Sequence, residues 1–415
     1  MSLNKERAWQ MLKDLDYVRV TGTDEERKAA SYLKEKCLEA GVPAEIENYE
    51  INAYGVTDAE FTVIEPYFKK YAVTGIGMTG SCKETEAELL YIGECTDEDL
   101  SEVKGKICLG HSEAFPGLLK KLSQKGAAGY LCIVGSFRDD DSLKKELRTR
   151  NAFGKGDILL PSAEIHISDA EELLRSKASK VRFRMNEERS KTQSGNVVAT
   201  IEGSDLKNEI IAVTAHYDSV PFSHGIYDNG TGSATVMELM HHFAENRPRR
   251  TLKFIWCGSE ENGCTGSKEY CMVHKDDLEH YIFDMNFDMT GVTVGYESVC
   301  VTASEEVAHQ ITYLAKLNNH PLRVTSGSYS SDSQSFASSG VPSVTFARLA
   351  PKGGAEIHNH LDNFDHLDPD SFMITLDFAC RYLEQIANCS SNLIPRSFSE
   401  EVSKSIEARK RKMSK

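Results

Sequence analysis

Five short clusters of this sequence gather imidazoles and carboxylates: His216-Tyr217-Asp218-Ser219, Asp228-Asn229-Gly230-Thr231-Gly232, Gly258-Ser259-Glu260-Glu261-Asn262-Gly263, Asn286-Phe287-Asp288-Met289-Thr290-Gly291 and His358-Asn359-His360-Leu361-Asp362. Imidazole nitrogen and carboxylate oxygen are ligand atoms for divalent metals such as zinc. The adjacent pair Glu260 and Glu261 adds a carboxylate that can move a proton beside one that can hold a cation. Taken singly, each residue reads as a surface carboxylate or a capped histidine. What gives them weight is the place the chain assigns to each.

After residue 195, apolar runs at 210–215, 252–257, 282–287 and 343–346 alternate with helical segments at 235–244, 307–317 and 370–388. That alternation predicts an α/β fold, a mostly parallel mixed sheet with helices on both faces. Ligands of such sheets bind beyond the carboxyl ends of the strands. His216 directly follows the first run, Glu260 and Glu261 follow the second, and Asp288 follows the third. Three strand ends carrying metal-ligand side chains point to one crevice.

Upstream, Thr23-Asp24-Glu25-Glu26 is a capping box and Gly41 a C′ residue, so a helix is expected between them. Residues 44–51 alternate as a strand. From 56 to 192 the texture changes to short strand-like runs, at 88–92, 106–109 and 130–134, around one helical stretch at 116–125. The expected organisation is a discontinuous catalytic domain from 1–55 and 193–395, and a smaller inserted β-rich α/β domain at 56–192. A charged tail at 396–415, with a basic end at 409–412, completes it as a solvated terminus.

A chain of 415 residues suits two domains. Its 40% hydrophobic and 27% charged residues are ordinary for a globular protein. The net charge of −15 repels polyanions and argues against nucleic-acid binding. No run approaches the roughly 18 apolar residues of a membrane span. The N-terminus lacks the apolar stretch of a secretory signal, and the eleven cysteines show no paired spacing. They are expected as reduced thiols of a cytoplasmic protein. Cys257, Cys264 and Cys271 flank the clusters without reading as ligands, and His224, His241 and His242 read as loop or helix-surface residues.

In this order the five clusters resemble the di-zinc aminopeptidase family, which also contains glutamate carboxypeptidase, glutaminyl cyclase and the transferrin-receptor ectodomain. The resemblance covers the chain apart from its C-terminal tail. It implies a zinc-exopeptidase (phosphorylase/hydrolase-like) fold, peptide substrates and two Zn2+ per chain, with Mn2+ or Co2+ also accommodated. The family's bridging carboxylate precedes Asn-Gly, which is Asp228 here, and a cis peptide bond often follows it. His216 and Asp288 match the ligands completing one metal site, and Glu261 and His358 those completing the other. Glu260 matches the general base, and Asp218 the carboxylate that orients the His216 imidazole. The family's ending, His then Asp four residues on and Asp three further, fits His358, Asp362 and Asp365 and prefers His358 to His360 or His366. The physics agrees, since two cations side by side need a shared anionic ligand. A nitrogen and oxygen ligand set without thiolate suits a catalytic rather than a structural zinc.

One departure stands out. Many members carry a Tyr before the last His to steady the oxyanion; here that residue is Ile357, with Tyr329 and His360 as candidates to replace it. The insert resembles a protease-associated domain through Val103-Lys104-Gly105-Lys106-Ile107 and 121–134 with its Gly-Ala-Ala-Gly. That implies a role over the cleft or in substrate selection.

The expected activity is hydrolysis of the N-terminal peptide bond, with carboxypeptidase or another amide hydrolase of the family as the alternative. A non-catalytic binding module is the third reading, and the complete ligand set weighs against it. An aminopeptidase must hold a cationic amino group, which suits acidic motifs. A carboxypeptidase needs a positioned Arg, for which Arg348, with Lys352 nearby, is the candidate.

Overall fold

Alternation along the strand Leu206–His216 sends Ile211, Val213 and Ala215 into one hydrophobic cluster and Ala212 into another. The strand Arg250–Cys257 repeats the division, with Leu252, Phe254 and Trp256 on one side and Ile255 and Cys257 on the other. Both faces are therefore buried, as a parallel sheet requires. The strands lie in the order Arg323–Ser326, Tyr296–Thr302, Ser343–Leu349, Tyr281–Phe287, Leu206–His216, Arg250–Cys257, followed by residues 197–201 of the strand Lys180–Ile201. The four central strands pair in parallel. Tyr296–Thr302 and Lys180–Ile201 join them antiparallel, so the sheet is mixed. One face is covered by Val236, Leu239 and Phe243 of the helix Thr231–Glu245 and Leu376 and Leu383 of Pro369–Asn388. On the other face lie Tyr270 of Thr265–Val273 and Phe336 of Ser333–Ser338. Each such side chain contributes about 1.5–3 kcal/mol by leaving water.

The structure, a computed structural model, describes residues 3–146 and 160–414. The chain forms two compact units, Met1–Ile51 with Gln193–Ala408, and Asn52–Thr192 with Arg409–Lys415. In the second unit, parallel pairing joins Cys82–Tyr91, Ile107–Gly110, Gly129–Val134 and Ser162–His166. Ile107, Leu131 and Ala163 face a cluster with Phe183, while Cys108, Tyr130 and Cys132 face Leu119 and Leu122 of the helix Pro116–Gln124. Part of the expected insert, 147–159, lies outside the described residues.

Three features differ from expectation. The strand expected at 44–51 runs on as Ala44–Glu65, and a second long strand, Lys180–Ile201, returns the chain to the first unit. The middle of each is buried on neither face, so no hydrophobic alternation marks it. The helix Lys5–Asp14 went unread although Asn4 caps it, accepting from the Arg7 N–H at 2.8 Å. The third difference is at the C-terminus. The helix Glu400–Ser414 buries Val402 and Ile406 against Ala337, and Arg396 donates to the carbonyls of Leu278, Glu279 and Tyr281. Two apolar residues on a charged helix were too few to announce that packing, and the side chains at 409–415 lie outside the described residues. Among the described residues no helix is long and apolar enough to cross a membrane.

Candidate metal centre

The strand Leu206–His216 delivers His216 at its last position, opposite Cys257 in the neighbouring strand. Asp228 sits in a single irregular turn, Ile226–Gly230, that leads into the helix Thr231–Glu245. The Asp228–Asn229 peptide bond is cis, as the family resemblance implies. Around it the loop is clamped. Asp362 Oδ1 accepts the Tyr227 N–H at 2.7 Å and its Oδ2 the Asp228 N–H at 3.2 Å. Asn229 donates to the Phe287 carbonyl at 2.8 Å and accepts from Gly232 N–H at 2.9 Å. Gly232 is required for that approach, because a Cβ there would lie 2.3 Å from Asn229 Oδ1 and 2.5 Å from the Phe287 carbonyl.

The two oxygens of Asp228 face different partners. Oδ1 lies 3.1 Å from His216 Nε2, which is 3.8 Å from Asp288 Oδ1. Oδ2 lies 3.0 Å from His358 Nε2, which is 3.0 Å from Glu261 Oε1. The ligand atoms of each trio, His216–Asp228–Asp288 and Asp228–Glu261–His358, all lie within 4.8 Å of one another. Tetrahedral bonds of about 2.0–2.2 Å place neighbouring ligand atoms about 3.3–3.6 Å apart, so these spacings suit a shared cation. All five expected ligands are thus brought together, and His358 is the histidine of the 358–366 segment that joins them. His366 is exposed in the turn Phe364–His366.

Electrostatics makes the same demand. Burial holds both the Glu260 and Glu261 carboxyls well above their usual range. Glu261 is raised further by the charges of Asp228 and Glu260, and Glu260 by those of Asp332, Asp288 and Asp218, against the pull of His216. Asp288 Oδ1 is buried without a hydrogen-bond partner. Carboxylates this crowded stay ionised together only with a cation among them. The residues fit a divalent metal in each trio.

Asp218 lies beside the His216 imidazole and also reaches the glutamate turn. Its carboxylate accepts the backbone N–H of Glu260 at 2.9 Å and of Glu261 at 3.2 Å, together with the Thr21 hydroxyl at 2.9 Å. From Oδ1 to His216 Nδ1 is 3.6 Å, and that nitrogen lies 3.3 Å from the Asp218 carbonyl instead. Asp218 therefore holds the glutamate turn as well as standing against the imidazole. Glu260 Oε1 in turn accepts the Cys264 thiol at 3.1 Å.

Some residues around the centre went unread in the sequence. Arg19 is fully buried and donates to the carbonyls of Leu15, Tyr17, Tyr217, His224 and Gly225, tying the N-terminal segment to the loops beside His216 and Asp228. Asp332 is fully buried, its carboxyl pushed to about 6 by burial, opposed by His216 and reinforced by Asp218 and Asp288. No local pattern marks either. Tyr329 is partly buried, and after burial it is the charges of Asp288 and Asp228 that raise its phenol most. Ile357 packs against the main core. Arg348 is committed elsewhere, donating to the Val292 carbonyl at 2.6 Å, Glu297 Oε1 at 2.9 Å and the Thr293 carbonyl at 3.2 Å, while Lys352 is exposed. His242, expected on a helix surface, is buried and pairs with Glu384 at 2.7 Å. The helix Thr231–Glu245 is packed more completely than its polar residues suggest.

Residues 196–383, which carry every one of these ligands, match peptidase family M28. Over 386 residues this chain is 24% identical to carboxypeptidase Q of Mus musculus, covering 86% of this chain and 80% of that protein. Aminopeptidase YwaD of Bacillus subtilis (strain 168) is 28% identical over 255 residues, 59% of this chain and 54% of that one. Among solved structures, an aminopeptidase from Aneurinibacillus sp. strain AM-1 matches with a TM-score of 0.77 at 21% identity, covering 94% of this chain and 96% of that one. The zinc aminopeptidase BSAP from Bacillus subtilis matches with a TM-score of 0.77 at 20% identity, covering 96% and 99%. These likenesses establish the mixed, mostly parallel α/β fold.

Proposed function

We propose that this M28 metallopeptidase is a di-zinc aminopeptidase that removes N-terminal residues from peptides. The observation that carries the reading is Asp228, whose two oxygens each approach the histidine of a different trio at 3.0–3.1 Å. Two zinc ions held by those trios would supply Lewis acidity and bring the pKa of water to around 7. Glu260, beside the second trio, takes the proton from the attacking water and passes it to the departing amine. Asp218 fixes Glu260 and Glu261 through their backbone N–H groups. The acidic surroundings suit the cationic α-amino group of a substrate. Arg348, spent on Glu297 and two carbonyls, is not placed to receive a C-terminal carboxylate. The insert we assign as a protease-associated-like module.

Glu260→Gln tests the reading, since the amide keeps the shape but takes no proton. The expected result is a kcat at least about a hundredfold lower with the metal content unchanged. Glu261→Gln should instead lose metal, and Asp228→Asn should lower both occupancies together. Zinc titration that saturates at one ion in the unmodified centre, or exchanged phenotypes of the two glutamates, would overturn these roles.

A further inference from the structure

Away from the centre, one more set of side chains has the same spacing. Among the described residues, three groups of His, Cys, Asp or Glu bring one ligand atom each within 4.8 Å of the others. Two are the trios that share Asp228; the third is His242, Cys380 and Glu384. His242 lies in the last turn of the helix Thr231–Glu245. Cys380 and Glu384 are four residues apart on the helix Pro369–Asn388, and so share one face of it. His242 and Cys380 are 7% and 4% exposed, whereas Glu384 reaches solvent with 47% of its side chain. Its Oε1 lies 2.7 Å from His242 Nε2, close to the 3.0 Å between His358 Nε2 and Glu261 Oε1 in the candidate centre.

We propose that His242, Cys380 and Glu384 form a third divalent-cation site of the zinc class, structural in role, with a fourth position open to water on the Glu384 side. An imidazole, a thiolate and a carboxylate suit zinc better than magnesium or calcium, which prefer oxygen throughout. One thiolate and one carboxylate also neutralise a divalent charge, which a half-buried place demands. Burial first, then the charges of Glu384 and Asp377, push the Cys380 thiol up to about 12. Metal uptake therefore releases the thiol proton to solvent as the sulfur–metal bond forms. The cation would tie the C-terminal end of Thr231–Glu245 to Pro369–Asn388. The first of these helices begins directly after the Asp228 turn.

Cobalt distinguishes this site from the candidate centre, whose trios contain no sulfur. The full chain is stripped with chelator and titrated with Co2+ alone. The expected result is a near-ultraviolet thiolate-to-cobalt absorption that Cys380→Ser abolishes while peptide hydrolysis persists. After zinc loading, elemental analysis should find one ion fewer per chain in that variant. Glu384→Ala alters a half-exposed side chain rather than a buried one and keeps the test open if Cys380→Ser does not fold. It should weaken the cobalt affinity behind that absorption at least about tenfold, since even outer-sphere partners of metal ligands are worth that much. Absence of the absorption at saturating cobalt overturns the proposal. So does its persistence in Cys380→Ser, or an unchanged affinity in Glu384→Ala.

Discussion

Glu260 is held from two directions: its N–H by Asp218 at 2.9 Å, and its Oε1 by the Cys264 thiol at 3.1 Å. The thiol is kept protonated by burial first and then by the Glu260 charge, so it is the donor. On the proposed mechanism, that bond fixes the carboxylate's plane and leaves the second oxygen for the proton of the attacking water. A weak neutral donor is worth about 1 kcal/mol, or about fivefold in rate. Cys264→Ala should accordingly lower kcat about three- to tenfold with KM and metal content unchanged, and Cys264→Ser, which keeps a donor, should stay near the original rate. In Glu260→Gln the same alanine change should add little; an undiminished extra loss there would show that Cys264 acts by some other route. The candidate ligands were legible because metal binding restricts residue type, and His216, Glu261 and Asp288 each stand at or just beyond a strand end. Cys264, Arg19 and Asp332 were not. Their types are common, and their meaning comes only from what the fold places opposite them.

The helix Asp24–Glu39 shows where that boundary falls for an element. Its capping box was readable: Thr23 Oγ1 accepts the Glu26 N–H at 3.3 Å, and Glu26 Oε2 accepts the Gly22 N–H at 2.5 Å. Gly41, at φ 75°, ends the helix as expected. What the local pattern hid is that Glu26 is fully buried, its Oε1 accepting the Ser194 hydroxyl at 2.6 Å. Burial, then the charge of Asp218, raises its carboxyl to about 8. The unfolded chain releases this proton near 4.5, so between about pH 4.5 and 8 the folded state binds more protons than the unfolded. Glu26 therefore withdraws stability progressively as pH rises through that window, by an amount on the order of a few kcal/mol, and has no effect below it. Glu26→Gln keeps the oxygen that caps the helix but cannot ionise. Denaturant unfolding at pH 5 and pH 8 should show a smaller loss of stability in the variant than in the parent. Equal losses would mean that Glu26 is not protonated in the folded protein.

Across the whole molecule, the net charge of −15 and the acidic centre act in the same direction. On the proposed reading they attract a cationic peptide end and repel an anionic one, over a range that physiological salt limits to about 8 Å. The candidate cation for a carboxypeptidase, Arg348, has its side chain only 12% exposed and paired with Glu297, itself 5% exposed. Removing that guanidinium leaves a buried carboxylate without its ion pair, a loss typically of about 3–5 kcal/mol in stability. Arg348→Ala is therefore expected to lower the unfolding midpoint while leaving end preference unchanged. Two dipeptides decide the matter, one blocked at its N-terminus and one at its C-terminus. Cleavage is expected only where the amino end is free, with a KM that rises with ionic strength as the attraction is screened. Turnover of the N-blocked dipeptide that vanishes in a folded Arg348→Ala protein would instead place the carboxylate end in the site, and the chain would be a carboxypeptidase.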